Sequence, residues 1–278
     1  EIGVRLVGSE MCIRDSPKYA SDIKEGAMIK EYYNSEKNHD VLILGDCEVY
    51  ENISTVTMWE NYGISSYIRG SAEQLIWQSY YLLEDTLKYE KPQVVIVNVL
   101  AMTESDAKNE AYNRMTLDGM KLSKYKIASI KESMTEEENM TSYIFPLLRY
   151  HSRWSELSSE DFRYMWKTPS VTTNGYLMQK GVRPVKTIPK AAPLANYTFS
   201  DRNMEYLDKI YSLCKDNGIN LVLMKAPSVY PHWYDEWDKQ VSDYAYEHGI
   251  LYLNTINEAG NIGIDSVSYT HLTLPTIA

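Results

Sequence analysis

Short apolar runs alternate with amphipathic stretches through most of the chain. Val41-Leu42-Ile43-Leu44 is an unbroken apolar run ending at Gly45, the pattern of a strand buried on both faces that then enters a loop. Gln93–Val99 (VVIVNV at its centre), Asn220–Met224 (NLVLM) and Ile250–Leu253 repeat it, and Ser65–Ile68 forms a shorter strand stopped by Gly70. Between them lie stretches with apolar residues at helical spacing. Residues 18–36 and 72–89 predict helices, and Ser54 can cap a short helix running through Trp59. Further on, Ser200 can cap a helix over 201–217 that Gly218 ends, and 234–248 predicts a helix ending at Gly249. Strands alternating with helices at this spacing imply right-handed βαβ units and a parallel sheet.

From about 104 to 195 the rhythm changes. Charged helical patterns cover 104–115, 122–133, 135–151 and 158–166, with Thr135 and the acids after it marking a helix start. Residues 168–195 carry Pro169, Pro184, Pro189 and Pro193 and read as extended. The stretch reads as a helical insertion within one domain, because the α/β alternation resumes after it.

Composition narrows the function. The chain has 278 residues, 38 acidic and 28 basic, with a net charge of −10. That excludes a binder of nucleic-acid phosphates, which needs a basic face. No run of 18 apolar residues is present, so nothing reads as a membrane span. Three cysteines do not make a disulfide framework in a chain of this length. Histidines and cysteines lack metal-ligand spacing, and neither a phosphate-cradling loop nor a dinucleotide fingerprint occurs. No cofactor and no metal are expected. One count is unusual, 24 Tyr against 3 Phe. Tyr with Trp around 230–237 and 143–166 suits amphipathic surfaces able to stack on sugars.

The chain ends differ from the rest. GSEMCIRDS within residues 1–16 and VSYTHLTLPT within 266–278 resemble translated sequencing-adapter reads. On that resemblance both segments are non-native and stay outside fold reasoning. Residues 17–265 are then a single α/β domain with its insertion at about 104–195, cut at both ends.

In an open parallel sheet, ligands bind beyond the carboxyl ends of the strands. Four such ends are visible: Gly45-Asp46-Cys47-Glu48, Gly70-Ser71, Asn98 onward, and Lys225-Ala226-Pro227-Ser228. The order VLILGDCEVY, SYIRGSAEQ, VVIVNV, with NRMTLDGMKLSKYK, FPLLRYHSRW and KAPSVYPHWYDEW, resembles the SGNH/GDSL hydrolase superfamily. The likeness is to a Firmicutes branch related to cell-envelope polymer acyl-transfer proteins. It implies a three-layer flavodoxin-like α/β fold with a central parallel sheet, and ester hydrolysis or O-acyl transfer on a carbohydrate or cell-envelope polymer.

The resemblance also distributes roles. The family places a serine nucleophile after the first strand, and here Cys47 stands there. A thiolate can attack an ester carbonyl, although Asp46 and Glu48 beside it oppose ionisation. Gly70 matches the glycine whose N–H holds the oxyanion. Asn98 is the nearest match to the family's second donor, outside its usual Gly-x-Asn-Asp setting. Asp46, Glu48, Gln74 and Lys225 are candidate substrate contacts. His151 and Arg153, with Arg149 nearby, suggest an anion or carboxylate site. His39, ahead of the first strand, reads as solvent-exposed. The family's Asp-x-x-His, which supplies base and orienting acid, is not found before Asp265, and His271 lies in the adapter-like tail. The resemblance therefore implies an extracytoplasmic or membrane-anchored protein, any anchor preceding Pro17, and a fragment without turnover. The rival reading is a non-catalytic envelope protein of the same fold that binds glycan or a protein partner.

Overall fold

The computed structural model describes residues 26–107, 109–145, 170–178, 190–228 and 232–258. The first described helix, α1 (Ala27–Glu31), runs into a 3-10 turn, Tyr32–Asn34. Strand β1 (Val41–Gly45) follows, with all five residues buried. Its burial on both sides is why the run is continuously apolar rather than alternating. Two short helices come next: α2 (Cys47–Tyr50), capped by Asp46, and α3 (Thr55–Tyr62), capped by Ser54 as the sequence indicates. Strand β2 (Ser66–Gly70) extends two residues past the expected end at Ile68 and includes Gly70.

Helix α4 (Ile76–Thr86) leads to β3 (Val94–Asn98) and a 3-10 turn, Val99–Thr103. Then come α5 (Glu110–Leu117), α6 (Lys124–Ser133) and α7 (Met140–Ile144). The last part resumes the alternation: α8 (Asp201–Asp216) capped by Ser200, β4 (Asn220–Lys225), α9 (Asp235–His248) closed by Gly249, and β5 (Leu251–Asn254).

All strand pairs are parallel, in the order β2-β1-β3-β4-β5. That is the flavodoxin-like order, whose switch point lies between β1 and β3. Side chains alternate across the sheet. Leu42, Leu44, Val95, Val97, Leu221 and Leu223 meet a core built with α4, α8 and α9. Val41, Ile43, Ile68 and Met224 meet the other core with Val49, Tyr50 and Tyr176. The protein is thus an α/β fold with a central parallel sheet covered on both faces.

Two expected helices start late, for visible reasons. The pattern over 104–115 yields α5 only from Glu110, because Asn203 Nδ2 binds the carbonyls of Met102 (2.7 Å) and Glu104 (2.9 Å) and holds that segment off a helix. The pattern from Thr135 yields α7 only from Met140. Glu138 there takes the Thr135 N–H (3.2 Å), Asn113 Nδ2 (2.9 Å) and the Tyr143 hydroxyl, so the segment forms a side-chain-bonded turn first. The predicted helix over 158–166 lies outside the described residues. Where described, the 104–195 stretch packs into the domain: Ile130 and Tyr143 belong to the main core, and residues 170–178 cross the other face.

His39 is a correction. It is 7% exposed, with Nδ1 on the Glu90 carboxylate at 2.9 Å and its own N–H on the same group. An imidazole this buried needs a partner, and the sequence does not show that Glu90 returns to it from the end of α4. The tyrosine excess has a related cause. Tyr32 donates to Glu90 (2.7 Å), Tyr33 to Asp85 (2.6 Å), Tyr244 to Asp208 (2.8 Å) and Tyr252 to Asp238 (2.6 Å). These rings fill core space while their hydroxyls meet carboxylates at its margin, which Phe cannot do.

Residues 170–178 are fastened by backbone fit. Ile68 N–H donates to Asn174 O (3.0 Å) and Leu177 N–H to Tyr50 O (2.8 Å). Gly175 has φ +80°, and a Cβ there would stand 1.9 Å from Ile68 O. Gly175→Ala is therefore expected to release this segment and cost about 1–3 kcal/mol. Urea unfolding combined with hydrogen exchange at Ile68 checks it. Unchanged protection at Ile68 would contradict the fastening.

Candidate functional site

The site is assembled at the switch point, from the carboxyl ends of β1, β3 and β4. Gly45 pairs with Gly70 of β2, and one step beyond the Leu44–Val97 pair the chain of β3 reaches Asn98. The approach is close on both sides. A Cβ on Gly45 would lie 2.7 Å from Asn98 Cβ, and one on Gly70 would lie 2.9 Å from Gly45 O. Glycine at both positions lets the ends of β1, β2 and β3 converge.

At this convergence lies a buried charged cluster. Lys225, fully buried at the end of β4, places Nζ 2.7 Å from both Glu48 carboxylate oxygens, 2.7 Å from Ala226 O and 3.1 Å from Ser228 Oγ. Asn98 Nδ2 donates to Asp46 Oδ1 and to Glu48 Oε2, each at 3.0 Å, and its Oδ1 accepts from Ala226 N–H at 3.2 Å. Asp46 Oδ1 also accepts from Glu48 N–H at 3.1 Å, which caps α2. Asn52 Nδ2 ties the end of α2 to Pro227 O at 3.1 Å.

Two acids and one lysine share this buried space. Burial pushes the Asp46 carboxyl up to about 7, and the Glu48 charge adds to the push. The Glu48 N–H, Lys225 and Asn98 pull it back only in part. Asp46 is thus poised to hold or release a proton near neutrality.

Cys47 opens α2 beside this cluster and is half-buried. Burial is the first cause raising its thiol far above the ordinary range, and the charges of Asp46, Glu51, Glu48 and Glu73 raise it further. Among the described residues, the nearby Lys225 Nζ is directed to Glu48 rather than to the sulfur. The sulfur is a neutral thiol at ordinary pH. Both Asn98 amide hydrogens already serve carboxylates, so donating to an oxyanion would require releasing one.

The structure thus brings together Asp46, Cys47, Glu48, Gly70, Asn98 and Lys225. Gln74 sits instead within the β2–α4 turn, 1% exposed. Its Nε2 donates to Arg69 O (3.2 Å) and Ser79 Oγ (2.9 Å), and its Oε1 accepts from Ser71 Oγ (3.2 Å). It braces the turn that carries Gly70. His151 and Arg153 lie outside the described residues. Ser228 joins the cluster from a strand end the sequence marks, whereas Asn52 joins it without any sequence signal, because a lone Asn in a loop does not report its partner. Among the described residues, no hydrogen bond joins a histidine to Cys47, no group of His, Cys, Asp and Glu could hold a metal ion, and no helix is long and apolar enough to cross a membrane.

Fold and site together define an open parallel α/β protein with a charged cluster at its switch point. No family model matches the chain, and no curated protein matches it. Among solved structures it is similar to a chain from Desulfitobacterium hafniense DCB-2 described as a "putative lipolytic protein of G-D-S-L family". The two are 13% identical, the alignment covers 85% of each chain, and the TM-score is 0.37.

Proposed function

We propose that this chain is an SGNH-type domain that processes acyl esters of a carbohydrate or cell-envelope polymer, by hydrolysis or O-acyl transfer, on the extracytoplasmic side. The observation that carries the reading is the convergence of Gly45-Asp46-Cys47, Gly70 and Asn98 at the switch point. These are the strand ends to which the sequence resemblance assigns nucleophile and oxyanion donors.

In this reading the Cys47 sulfur attacks the acyl carbonyl, and its proton passes to a base. The Gly70 N–H supports the developing oxyanion, a contribution of about 3–4 kcal/mol for such a donor. Alcohol leaves as the thioester forms, and water or an acceptor hydroxyl releases the acyl group. The base in the resembled family is a histidine after the last strand, and residues 255–265 contain none. The chain by itself is therefore expected to show no Cys47-dependent turnover of p-nitrophenyl acetate. A full-length homologue that carries Asp-x-x-His after β5 is expected to show it. Robust turnover by the present chain, lost in Cys47→Ala, would overturn the first expectation. Absence of turnover in the homologue would overturn the hydrolase reading.

The chemistry of Cys47 favours a second reading, a non-catalytic domain of the same kind that binds glycan or a protein partner. Its raised thiol predicts slow alkylation: iodoacetamide at pH 8 should modify Cys47 at least about a hundredfold more slowly than a free thiol, followed by peptide mass spectrometry. Fast, selective modification would favour a reactive nucleophile and count against this second reading.

A further inference from the structure

A cleft of about 520 Å³ opens beside the 3-10 turn that follows β3, between that turn and the start of α8. Its size falls within the range of small-molecule sites, about 300–1,000 Å³. The half-buried Trp237 ring forms one wall, backed by the buried Phe199 ring at 6.4 Å and 21°. Thr103, Ser105, Asn196 and Thr198 supply uncharged polar groups around it, and Asp201 is the charged residue on its lining.

Three further observations point to a ligand. Asn203, 1% exposed, lines the cleft, and its Oδ1 is a buried acceptor with no partner among the described residues. Its orientation is fixed, because Nδ2 faces two carbonyl oxygens that require a donor. The aromatic wall also continues outward: Tyr234 meets Trp237 at 4.8 Å, and Tyr197 meets Tyr234 at 5.2 Å. Inward, Trp233 packs on Trp237 at 5.5 Å, and Lys225 Nζ lies 5.7 Å from the Trp233 ring. Two ring contacts therefore separate the cleft from the charged cluster.

We propose that this cleft is a subsite for an uncharged saccharide unit, seated on the Trp237 ring that Phe199 backs. Sugars with equatorial hydroxyls present an apolar C–H face to an aromatic ring and hydroxyls at their edges, which matches a flat wall with polar neighbours. Asp201 disfavours anionic sugars and accepts from hydroxyls. The proposal rests on the carbohydrate substrate class of the reading above, and it extends that reading by placing a sugar unit two contacts from the charged cluster.

The test is titration of the full chain with cellotetraose and chitotetraose, read by tryptophan fluorescence and calorimetry. Saturable binding of at least one is expected, weakened about tenfold or more in Trp237→Ala and in the cleft-filling Thr198→Arg. Thr198 is exposed, so that variant keeps the test open if Trp237→Ala fails to fold. Tyr246→Ala, which removes an exposed aromatic ring outside the cleft, is expected to bind as the wild type does. No binding of either sugar up to about 10 mM, or binding unchanged in both cleft variants, would overturn the proposal. Sugar binding without turnover in any homologue would leave the subsite standing and remove the hydrolase reading.

Discussion

Lys225→Met should destabilise the protein by about 3–5 kcal/mol, because it leaves Glu48 buried without its counter-charge. The side chains of Lys225 and Glu48 are 0% and 3% exposed, so water cannot replace the missing ammonium. Methionine fills nearly the same volume, so the loss is electrostatic rather than a cavity effect. Asn98 still donates to Glu48, which limits the damage without neutralising the charge. For a domain of this size the change corresponds to a fall in Tm of about 10 °C. The decisive comparison is with the double variant Lys225→Met/Glu48→Gln. Removing the second charge is expected to restore more than half of the loss, since the penalty belongs to the unpaired carboxylate rather than to a missing attraction. Thermal and urea unfolding of the four proteins complete the cycle. Strictly additive losses would show that the two side chains are not coupled in the way described.

Asp46→Asn should stabilise the protein at neutral and alkaline pH. The folded carboxyl is pushed up to about 7 from an ordinary value of 3.8. Between those two values the native state retains a proton that the unfolded chain has lost. Stability therefore falls as pH rises through that window and levels off above it. Asparagine keeps an Oδ1 that can accept from Glu48 N–H and Asn98 Nδ2 while removing the charge, so the cap on α2 survives. The difference in unfolding free energy between variant and wild type is expected to be small near pH 4. It should grow to a few kcal/mol by about pH 8 and then stay constant. Paired urea titrations across pH 4–9 measure it. A difference that does not vary with pH would mean that Asp46 ionises normally in the folded protein.

These two expectations describe one design. The switch point gathers charge that the fold could do without for stability alone. A buried pair with a third, half-neutralised acid is weak evidence for stabilisation and a common mark of a working site. Burial first, and the cluster's charges after it, keep Cys47 from ionising, so changes that lower the negative charge should make the thiol more reactive. Cys47 alkylation measured in Asp46→Asn against wild type would register that coupling.

Much of the framework was legible in the sequence because it depends on local pattern. The apolar run at 41–44 had to be a strand buried on both sides, and such strands belong to parallel sheets. Ser54 and Ser200 mark helix starts because each hydroxyl accepts a neighbouring N–H, here from Thr57 and Asn203, and Gly249 ends a helix because it adopts a left-handed conformation easily. The acidic balance and the clustering of polar residues at strand ends were equally visible. Strand order, and with it long-range pairing, was not. Glu48 and Lys225 are 177 residues apart and meet only because β3 separates β1 from β4 in the sheet. The same holds for His39 with Glu90, for the tyrosine hydroxyls with their carboxylates, and for a cleft whose walls come from the turn after β3, the start of α8 and α9. A sequence pattern reports which apolar side chains are buried, but not which polar ones, as His39 and Lys225 show. Which partner satisfies a buried polar group is decided only when distant segments pack together.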